Sequence, residues 1–360
     1  MTRVTRILLG FALLVAFLAV LVWRLTSVGG PGWHEQDGAA PGPDTAYKTF
    51  QHQVMATTVQ VVVPAGKAAQ EQAETVFDVF DLVDERMSEW KASSPLSAVN
   101  EHAGDGPVEV PEDLRRVLHR GIEVGNLTGG AFDVTWAALW GLWNFRAPDP
   151  HVPDPAEIAR RVKLIDYRKV EIDDQAGTVR LPEKGMKIGL GGIAKGYALS
   201  RAAQMLRDRG LQSFMILGGG QVLAAGERRE DGGRPWRVGI RDPRGGQQDY
   251  FAVLDVVNKS VSTSGDYERY FIADGVRYHH ILDPRTGWPA RGLRSVTVIS
   301  PDAVLADGLS TGIMVMGPEK GLALAERLKN VEAVLVDDHG KVETTSGLGG
   351  TLKMLHPPRP

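Results

Sequence analysis

A glycine-rich junction between a strand and a helix constrains the fold of this chain more than any other feature. Residues 187–198 read KIGLGGIAKGYA, so that an apolar strand leads into a glycine pair, then Lys195, and then an amphipathic helix. Backbone N–H groups in such a turn approach phosphate oxygens closely because glycine has no Cβ, and Lys195 adds a positive charge. The residues predict an anion-binding turn. An ordinary turn remains the alternative, since the order of a Walker A loop is absent.

The N-terminal residues predict a membrane anchor. Arg3 and Arg6 precede residues 7–23, an apolar run without a charge, and Arg24 follows it. A bilayer-spanning helix needs roughly 17–25 apolar residues, and no small-residue cleavage site is evident. Basic residues before the run favour a cytoplasmic N-terminus. We predict an uncleaved signal anchor over residues 1–26 in the inner membrane, with the remaining chain on the periplasmic side. A cleaved signal peptide is the alternative.

The rest of the chain divides into a linker, one large domain and a tail. Residues 27–44 are rich in Gly and Pro, which predicts a flexible linker, and we expect the catalytic domain over residues 45–351 and a loose tail over residues 352–360. A formal net charge of −3 gives no basic surface for nucleic acid. The absence of cysteine excludes disulfides, cysteine nucleophiles and a lipidated cysteine.

Within the domain, many predicted hairpins alternate with helices, which favours an α+β fold with mixed or antiparallel sheets. Asp274-Gly275 is a strong hairpin turn between two predicted strands. Residues 54–63 predict a single strand rich in Val and Thr. Trp136, Trp140 and Trp143 follow helical spacing and predict core packing, whereas Trp90, near a helix end, is the better stacking candidate.

Three groups of residues in the domain are candidates for a catalytic or binding role. Asp307 and Thr311 are four residues apart in an apolar helix, so a carboxylate and a hydroxyl share one face, which suits a hard cation such as Mg²⁺. A core helix whose threonine bonds back to the preceding turn is the alternative. His279 and His280 end a strand, where alternation points one at a site and the other at solvent, and one of them could act as a base. A surface histidine beside an Asp-Pro turn is the alternative. Residues 262–266 read STSGD, which suits a diphosphate and equally suits a plain turn.

Taken together and in order, these motifs resemble those of the ApbE-type FAD:protein FMN transferases. The resemblance runs from about residue 55 to residue 317. It is carried by MAT at residues 55–57, MSEW at 87–90, SPLSAVN at 94–100, GAFDVT at 130–135, the turn at 191–196, LGGG at 217–220, WRVGI at 236–240 with DP at 242–243, TSG at 263–265, HILDP at 280–284 and ADGLST at 306–311.

The resemblance implies an α+β flavin transferase fold that binds FAD and Mg²⁺, transfers FMN to a threonine hydroxyl of an acceptor protein, and releases AMP. The acceptor could be a membrane redox subunit. By motif, His280 resembles the base, and Asp307 and Lys195 complete the catalytic set. Asp307, Thr311 and the Gly192 carbonyl resemble the metal ligands. The residues that resemble FAD contacts are Met55, Trp90, Ala131, Phe132, Asp133, Gly189, Lys195, Ser264, Gly265 and Ile281.

Two departures from the family pattern affect the expected FAD site. Gly189 stands where the family usually has aspartate, and Ala56 stands where it commonly has glycine. Two other functions remain open from the sequence. One is Mg²⁺-dependent hydrolysis of FAD to FMN and AMP at the same site, and the other is flavin binding without catalysis.

Overall fold

The computed structural model describes residues 47–228 and 233–360, which form an α+β domain. The helices are α1 Ala69–Met87, α2 Pro95–Glu101, α3 Glu112–Thr128, α4 Pro155–Val162, α5 Ala194–Asp208, α6 Ala303–Met316 and α7 Pro318–Arg327, with 3₁₀ turns at Ala137–Leu139, Tyr167–Lys169 and Ser346–Leu348. The strands are β1 Tyr47–Val54, β2 Thr57–Pro64, β3 Val108–Glu109, β4 Glu171–Asp173, β5 Thr178–Arg180, β6 Phe214–Gly218, β7 Gln221–Ala225, β8 Trp236–Arg241, β9 Tyr250–Val256, β10 Lys259–Gly265, β11 Tyr270–Ala273, β12 Val276–His279, β13 Leu293–Ser300, β14 Glu332–Asp337, β15 Val342–Thr344 and β16 Leu352–Met354.

The predicted anchor over residues 1–26 and the predicted linker over residues 27–44 lie outside the described residues. Among the helices in the described ranges, none combines the length and the apolar character that crossing a membrane requires.

An eight-stranded sheet organises the domain. Its order is β1-β2-β6-β7-β10-β13-β14-β15, and each neighbouring pair is antiparallel. Strand β13 is buried at every position, as expected for a strand covered on both faces. Smaller sheets are β16-β9-β8, β3-β5-β4 and the hairpin β11-β12.

Helices α1, α5 and α6 pack together over this sheet and hold the site. Helix α1 buries Ala73, Val76, Phe77, Phe80 and Val83 at three- and four-residue steps, which is the periodicity of an amphipathic helix. Helix α6 packs against both β10 and β13. Its N-terminus is capped by Asp302, whose side chain accepts a hydrogen bond from the Leu305 amide.

Three local expectations are corrected by the structure. The strand predicted over residues 54–63 begins only at Thr57 as β2, because Met55 and Ala56 turn the chain back with φ values of 52° and 56°. Val54 ends β1, a strand that was not predicted. The three spaced tryptophans do not lie on an α-helix, since the segment holds only the 3₁₀ turn at Ala137–Leu139. The expected tail over residues 352–360 contains β16, which pairs with β9, and the Arg294 side chain donates to the Arg359 carbonyl oxygen at 2.8 Å.

Candidate active site

The glycine-rich turn is held against helix α6 by a close crossing at Gly196. A Cβ atom built on Gly196 would lie 2.3 Å from the Ala303 carbonyl oxygen and 2.7 Å from Asp307 Cβ. The Gly196 amide donates to Asp307 Oδ2 at 2.8 Å. Lys195, the residue before it, donates from Nζ to the Gly191 carbonyl oxygen at 2.9 Å. The predicted anion-binding turn and the predicted metal-binding carboxylate are therefore parts of one structure.

Asp307 is a buried carboxylate held by neutral donors. Besides the Gly196 amide, Gln221 Nε2 donates to Asp307 Oδ1 at 3.0 Å. Burial raises the pKa of Asp307, and the nearby positive charge of Lys195 opposes that rise. Within the described ranges no basic side chain lies within ion-pair distance of Asp307. Such a group is stabilised when a cation or a proton joins it.

The three predicted metal ligands are brought together. A Cβ built on Gly192 would lie 3.3 Å from Thr311 Oγ1, and Thr311 lies one helical turn after Asp307 on α6. Nearby, Ser262 and Gln221 are cross-strand neighbours, and in the described part of the chain Ser262 Oγ and Gln221 Oε1 are buried without a hydrogen-bond partner.

The donor set determines which ion fits there. Carboxylate, hydroxyl and carbonyl oxygens match the preference of Mg²⁺. No cluster of three or more His, Cys, Asp or Glu side chains that could hold a metal occurs in the ranges described. The residues present therefore fit a hard cation that takes its remaining ligands from a phosphate and water, and they do not fit a multi-histidine transition-metal centre.

His280 lies directly after β12 and faces Arg269 across the hairpin. The His280 amide donates to the Arg269 carbonyl oxygen at 3.0 Å. Its side chain is half-buried, and Nδ1 has no hydrogen-bond partner among the described residues. Burial, followed by the positive charge of Arg269, lowers the pKa of His280 to about 3. The imidazole is therefore neutral at pH 7, so its ring nitrogen is available as an acceptor, and its low pKa makes it a weak base in the free chain.

The expectation that one of the two histidines faces solvent is wrong. His279 is buried, and its Nε2 lies 2.8 Å from the Ala290 carbonyl oxygen. Burial lowers the pKa of His279, so this ring is neutral as well. His279 holds the end of the hairpin against the following loop, whereas Nδ1 of His280 has no hydrogen-bond partner in the part of the chain that the structure describes.

Several predicted FAD contacts surround the same turn. Phe132 lies 3.1 Å from a Cβ built on Gly192. Ser264 Oγ lies 2.9 Å from Ser310 Oγ and 3.3 Å from Thr311 Oγ1. Of the others, Ala131 and Ile281 are buried nearby in the main core.

Met55 lies in the turn between β1 and β2, and Trp90 follows helix α1. The Met55-Ala56 turn leads into Thr57, and both Thr57 and the Lys195 side chain lie against Gly219, at 3.3 Å and 3.2 Å from a Cβ built there. Trp90 is 72% exposed and stacks on Trp140 with ring centroids 3.9 Å apart. An exposed indole backed by a second indole is a platform for a planar ring.

Asp133 and Gly265 have internal structural contacts. Both carboxylate oxygens of Asp133 are occupied, because Oδ1 accepts from the Thr135 amide at 2.7 Å and Oδ2 accepts from the Tyr167 amide at 2.9 Å. Burial raises the pKa of Asp133. Gly265 leaves room for Tyr267, whose ring would lie 2.4 Å from a Cβ at that position. The structure thus gives both residues a role in holding neighbouring loops.

Sequence reasoning missed two charged residues near the site. Glu89 Oε1 lies 3.8 Å from a Cβ built on Gly191. Burial raises the pKa of Glu89, while the charges of Lys195 and Arg269 oppose the rise. Arg269 is the other omission. The hairpin predicted around Asp274-Gly275 places Arg269 opposite His280, so the strand pairing could have identified Arg269 from the sequence.

Comparison with known proteins decides the family. Residues 55–335 match the sequence profile of the ApbE family. The chain belongs to the ApbE family. A relative from Treponema pallidum, named FAD:protein FMN transferase, is 35% identical over 319 residues, which are 84% of this chain and 88% of the relative. A relative of the same name from Vibrio cholerae is 34% identical over 278 residues, covering 76% of this chain and 82% of the relative.

Solved ApbE structures confirm the predicted α+β, hairpin-rich fold. The crystal structure of the ApbE protein from Thermotoga maritima superposes with a TM-score of 0.77 at 35% identity, covering 84% of this chain and 98% of that one. The flavin transferase ApbE from Vibrio cholerae gives a TM-score of 0.74 at 29% identity, covering 85% and 99%.

Gly189, where the sequence is expected to depart from the family pattern, is closely packed. A Cβ built on Gly189 would lie 2.9 Å from Trp136 Nε1 and 3.1 Å from Ala137 Cβ. Trp136 Nε1 also donates to the Gly189 carbonyl oxygen at 3.0 Å. The indole thus occupies the space that a longer side chain at position 189 would need.

Proposed function

We propose that this ApbE-family chain is a Mg²⁺-dependent FAD:protein FMN transferase that places FMN on a threonine hydroxyl of an acceptor protein and releases AMP. One observation carries the proposal. The Gly196 amide donates to Asp307 Oδ2 at 2.8 Å, and a Cβ built on Gly192 would lie 3.3 Å from Thr311 Oγ1, so the glycine-rich turn lies directly against the oxygen donors of α6. Cleaving a diphosphate needs charge neutralisation, in-line positioning and a proton acceptor, and these residues supply them.

The reaction exchanges a phosphoanhydride bond for a phosphoester bond. The threonine Oγ attacks the phosphorus of the FMN half, so that a new O–P bond forms and the bridging P–O bond to AMP breaks. His280, whose Nδ1 is unpartnered among the described residues, takes the hydroxyl proton. Lys195 and the amides of Gly191 and Gly192 bind the diphosphate oxygens, and the exposed indole of Trp90 supports a ring of FAD.

The oxygen donors of the site match Mg²⁺. Asp307, Thr311 and the Gly192 carbonyl would hold the ion, which when bound neutralises negative charge on the diphosphate. Gln221 and the Gly196 amide fix the Asp307 carboxylate from behind, because each donates one hydrogen bond to it. Outer partners of this kind orient a ligand before the ion arrives.

We also propose that the chain is anchored in the inner membrane with its domain on the periplasmic side. The motivation is the sequence of residues 1–26, where Arg3 and Arg6 precede the apolar run of residues 7–23. An acceptor on that same side, such as a membrane redox subunit, would meet the domain without crossing the membrane.

The deciding experiment incubates the purified full chain with FAD and Mg²⁺, with and without short threonine-containing peptides, and measures AMP and peptide-bound flavin. The proposal expects AMP only when peptide is present, together with covalent flavin on the peptide. AMP formed equally without peptide would assign FAD hydrolysis instead. Bound FAD that yields no AMP under either condition would assign flavin binding without catalysis.

A further inference from the structure

A row of hydroxyl groups links strand β10 to the part of helix α6 that carries Asp307 and Thr311. Ser264 Oγ on β10 lies 2.9 Å from Ser310 Oγ and 3.3 Å from Thr311 Oγ1. Ser310 Oγ in turn donates to the Asp307 carbonyl oxygen at 2.8 Å. We call Thr311, Ser264 and Ser310 the hydroxyl row. It connects the two residues of α6 that would hold Mg²⁺.

The carbonyl at the end of the hydroxyl row determines the direction of each hydrogen bond. A carbonyl oxygen only accepts, so the proton of Ser310 lies on the Asp307 carbonyl oxygen, and Ser310 accepts from Ser264. The single proton of Ser264 is then used on Ser310, so Ser264 accepts from Thr311. The proton of Thr311 therefore points at Ser264.

This direction leaves the Thr311 hydroxyl in the state that binds a cation. A hydroxyl has one proton and two lone pairs, and a cation binds to a lone pair. With its proton on Ser264, Thr311 keeps its lone pairs for other partners. Gly192, whose carbonyl would be a further ligand, is close by, since a Cβ built there would lie 3.3 Å from Thr311 Oγ1. An oxygen with free lone pairs beside a carbonyl suits Mg²⁺.

Burial strengthens the hydroxyl row. Ser310 and Asp307 are buried, so water does not compete for the hydrogen bond between them. Ser264 and Thr311 are half-buried, which keeps the Thr311 hydroxyl within reach of the site. Hydrogen bonds are electrostatically stronger inside a protein than in water, and the members of a chain of them polarise one another. The buried end therefore holds the direction of the whole row.

We propose that Ser264 and Ser310 are positioning residues that turn the proton of Thr311 away from the cation, so that Thr311 binds the ion through a lone pair. This inference rests on the proposed Mg²⁺-dependent function. Ser264 acts through Thr311, and Ser310 acts through Ser264. Removing an outer partner of this kind usually costs roughly 10- to 100-fold in metal affinity or activity.

The test measures the Kd of Mn²⁺, used in place of Mg²⁺ and detected by its EPR signal, for the full chain with FAD. Ser264→Ala should raise this Kd by about 10- to 100-fold, whereas Ser264→Thr, which keeps a hydroxyl, should stay close to the wild type. Ser310→Ala should also raise the Kd, because Ser264 is then free to donate to Thr311 and to turn the Thr311 proton towards the ion. The double variant should bind no more weakly than Ser264→Ala alone, since Ser310 acts only through Ser264.

The matched control is Thr263→Val. Thr263 is the neighbour of Ser264 on β10, so its side chain points to the opposite face of the sheet, where its hydroxyl lies 2.9 Å from Thr297 Oγ1. The variant loses a hydrogen bond between two hydroxyls, as Ser264→Ala does, and should leave the Kd of Mn²⁺ unchanged.

The same titrations contain the outcomes that would contradict the inference. An unchanged Kd in Ser264→Ala, additive losses in the double variant, or an equal loss in Thr263→Val would each overturn it. If the wild type binds Mn²⁺ but transfers no FMN, and Ser264→Ala still weakens binding, the hydroxyl row is supported and the transferase function is not. A wild-type chain that binds no Mn²⁺ would count against both.

Discussion

Replacing His280 by glutamine tests the proton acceptor most directly. Glutamine keeps much of the shape of the ring but does not take a proton, so FMN transfer should fall by about 10²- to 10⁴-fold, the usual contribution of a positioned general base. FAD affinity, read from flavin fluorescence, should stay close to that of the wild type. Transfer within tenfold of the wild type would refute the assignment of His280 as the base.

The pH dependence follows from the burial of His280 and the charge of Arg269. Their combined effect lowers the pKa of His280 to about 3. The neutral fraction should therefore hardly change between pH 7 and pH 5, whereas an unperturbed histidine of pKa about 6.5 would lose roughly 20-fold over that interval. Because kcat/KM reports the free enzyme, its acid limb should lie well below pH 6.5. A limb centred near pH 6.5 that disappears in His280→Gln would refute the reasoning about burial.

Two further measurements check the cause of this low pKa. Removing the neighbouring cation in Arg269→Gln should raise the pKa of His280 and move the acid limb of kcat/KM upwards. Stability is linked to the same proton, since the unfolded chain binds it at a higher pH than the folded chain does. The stability that neutral His280 contributes is therefore complete above pH 6.5 and is lost as the pH falls towards 3, and His280→Gln should lack that part of the loss.

Three other predictions concern the metal, the helix crossing and the location. Asp307→Ala should abolish both Mg²⁺-dependent transfer and the rise in Tm that Mg²⁺ gives the wild type, and an unchanged Mg²⁺ effect on Tm would exclude Asp307 as a ligand. Gly196→Ala should lower the free energy of unfolding in urea by about 1–3 kcal/mol, because its Cβ would overlap the Ala303 carbonyl oxygen. The control is Gly210→Ala, where a Cβ meets open space. It should lower the free energy of unfolding by less, despite the positive φ of Gly210. The full chain in membrane vesicles should be cut by protease from the periplasmic side only, and recovery of the full-length chain in the cytosol would contradict the anchor.

The sequence predicted the parts of the fold in which the local residues favour a single backbone conformation. Asp274-Gly275 supplied the two left-handed residues of a tight hairpin, with φ values of 50° and 75°, and the hairpin formed as predicted. Met55-Ala56 adopts similar backbone angles without Gly, Asn or Asp, so the turn gave no signal and strand β1 before it was not predicted. The eight residue pairs between β1 and β2 stabilise this turn, although neither Met nor Ala favours a positive φ.

In the candidate site, too, the local patterns were predicted from the sequence and the long-range contacts were not. The shared position of Asp307 and Thr311 could be predicted, because helical periodicity alone places both residues on one face of the helix. The burial of His279, the occupied oxygens of Asp133 and the indole against Gly189 depend on partners distant in sequence, such as Tyr167, which lies 34 positions from Asp133. Periodicity does not reveal such partners, so the role of these residues became visible only in the folded chain.

The contact between Gly196 and Asp307 also determines the order in which the site is assembled. The hydrogen bond joins residues 111 positions apart, so the turn acquires its carboxylate only after the chain has been made through helix α6 and that helix has docked on β10 and β13. Contacts of such long range form late, because closing the intervening loop costs entropy that other contacts must first offset. During synthesis the glycine-rich turn therefore meets the oxygen donors of α6 only after that helix has been made.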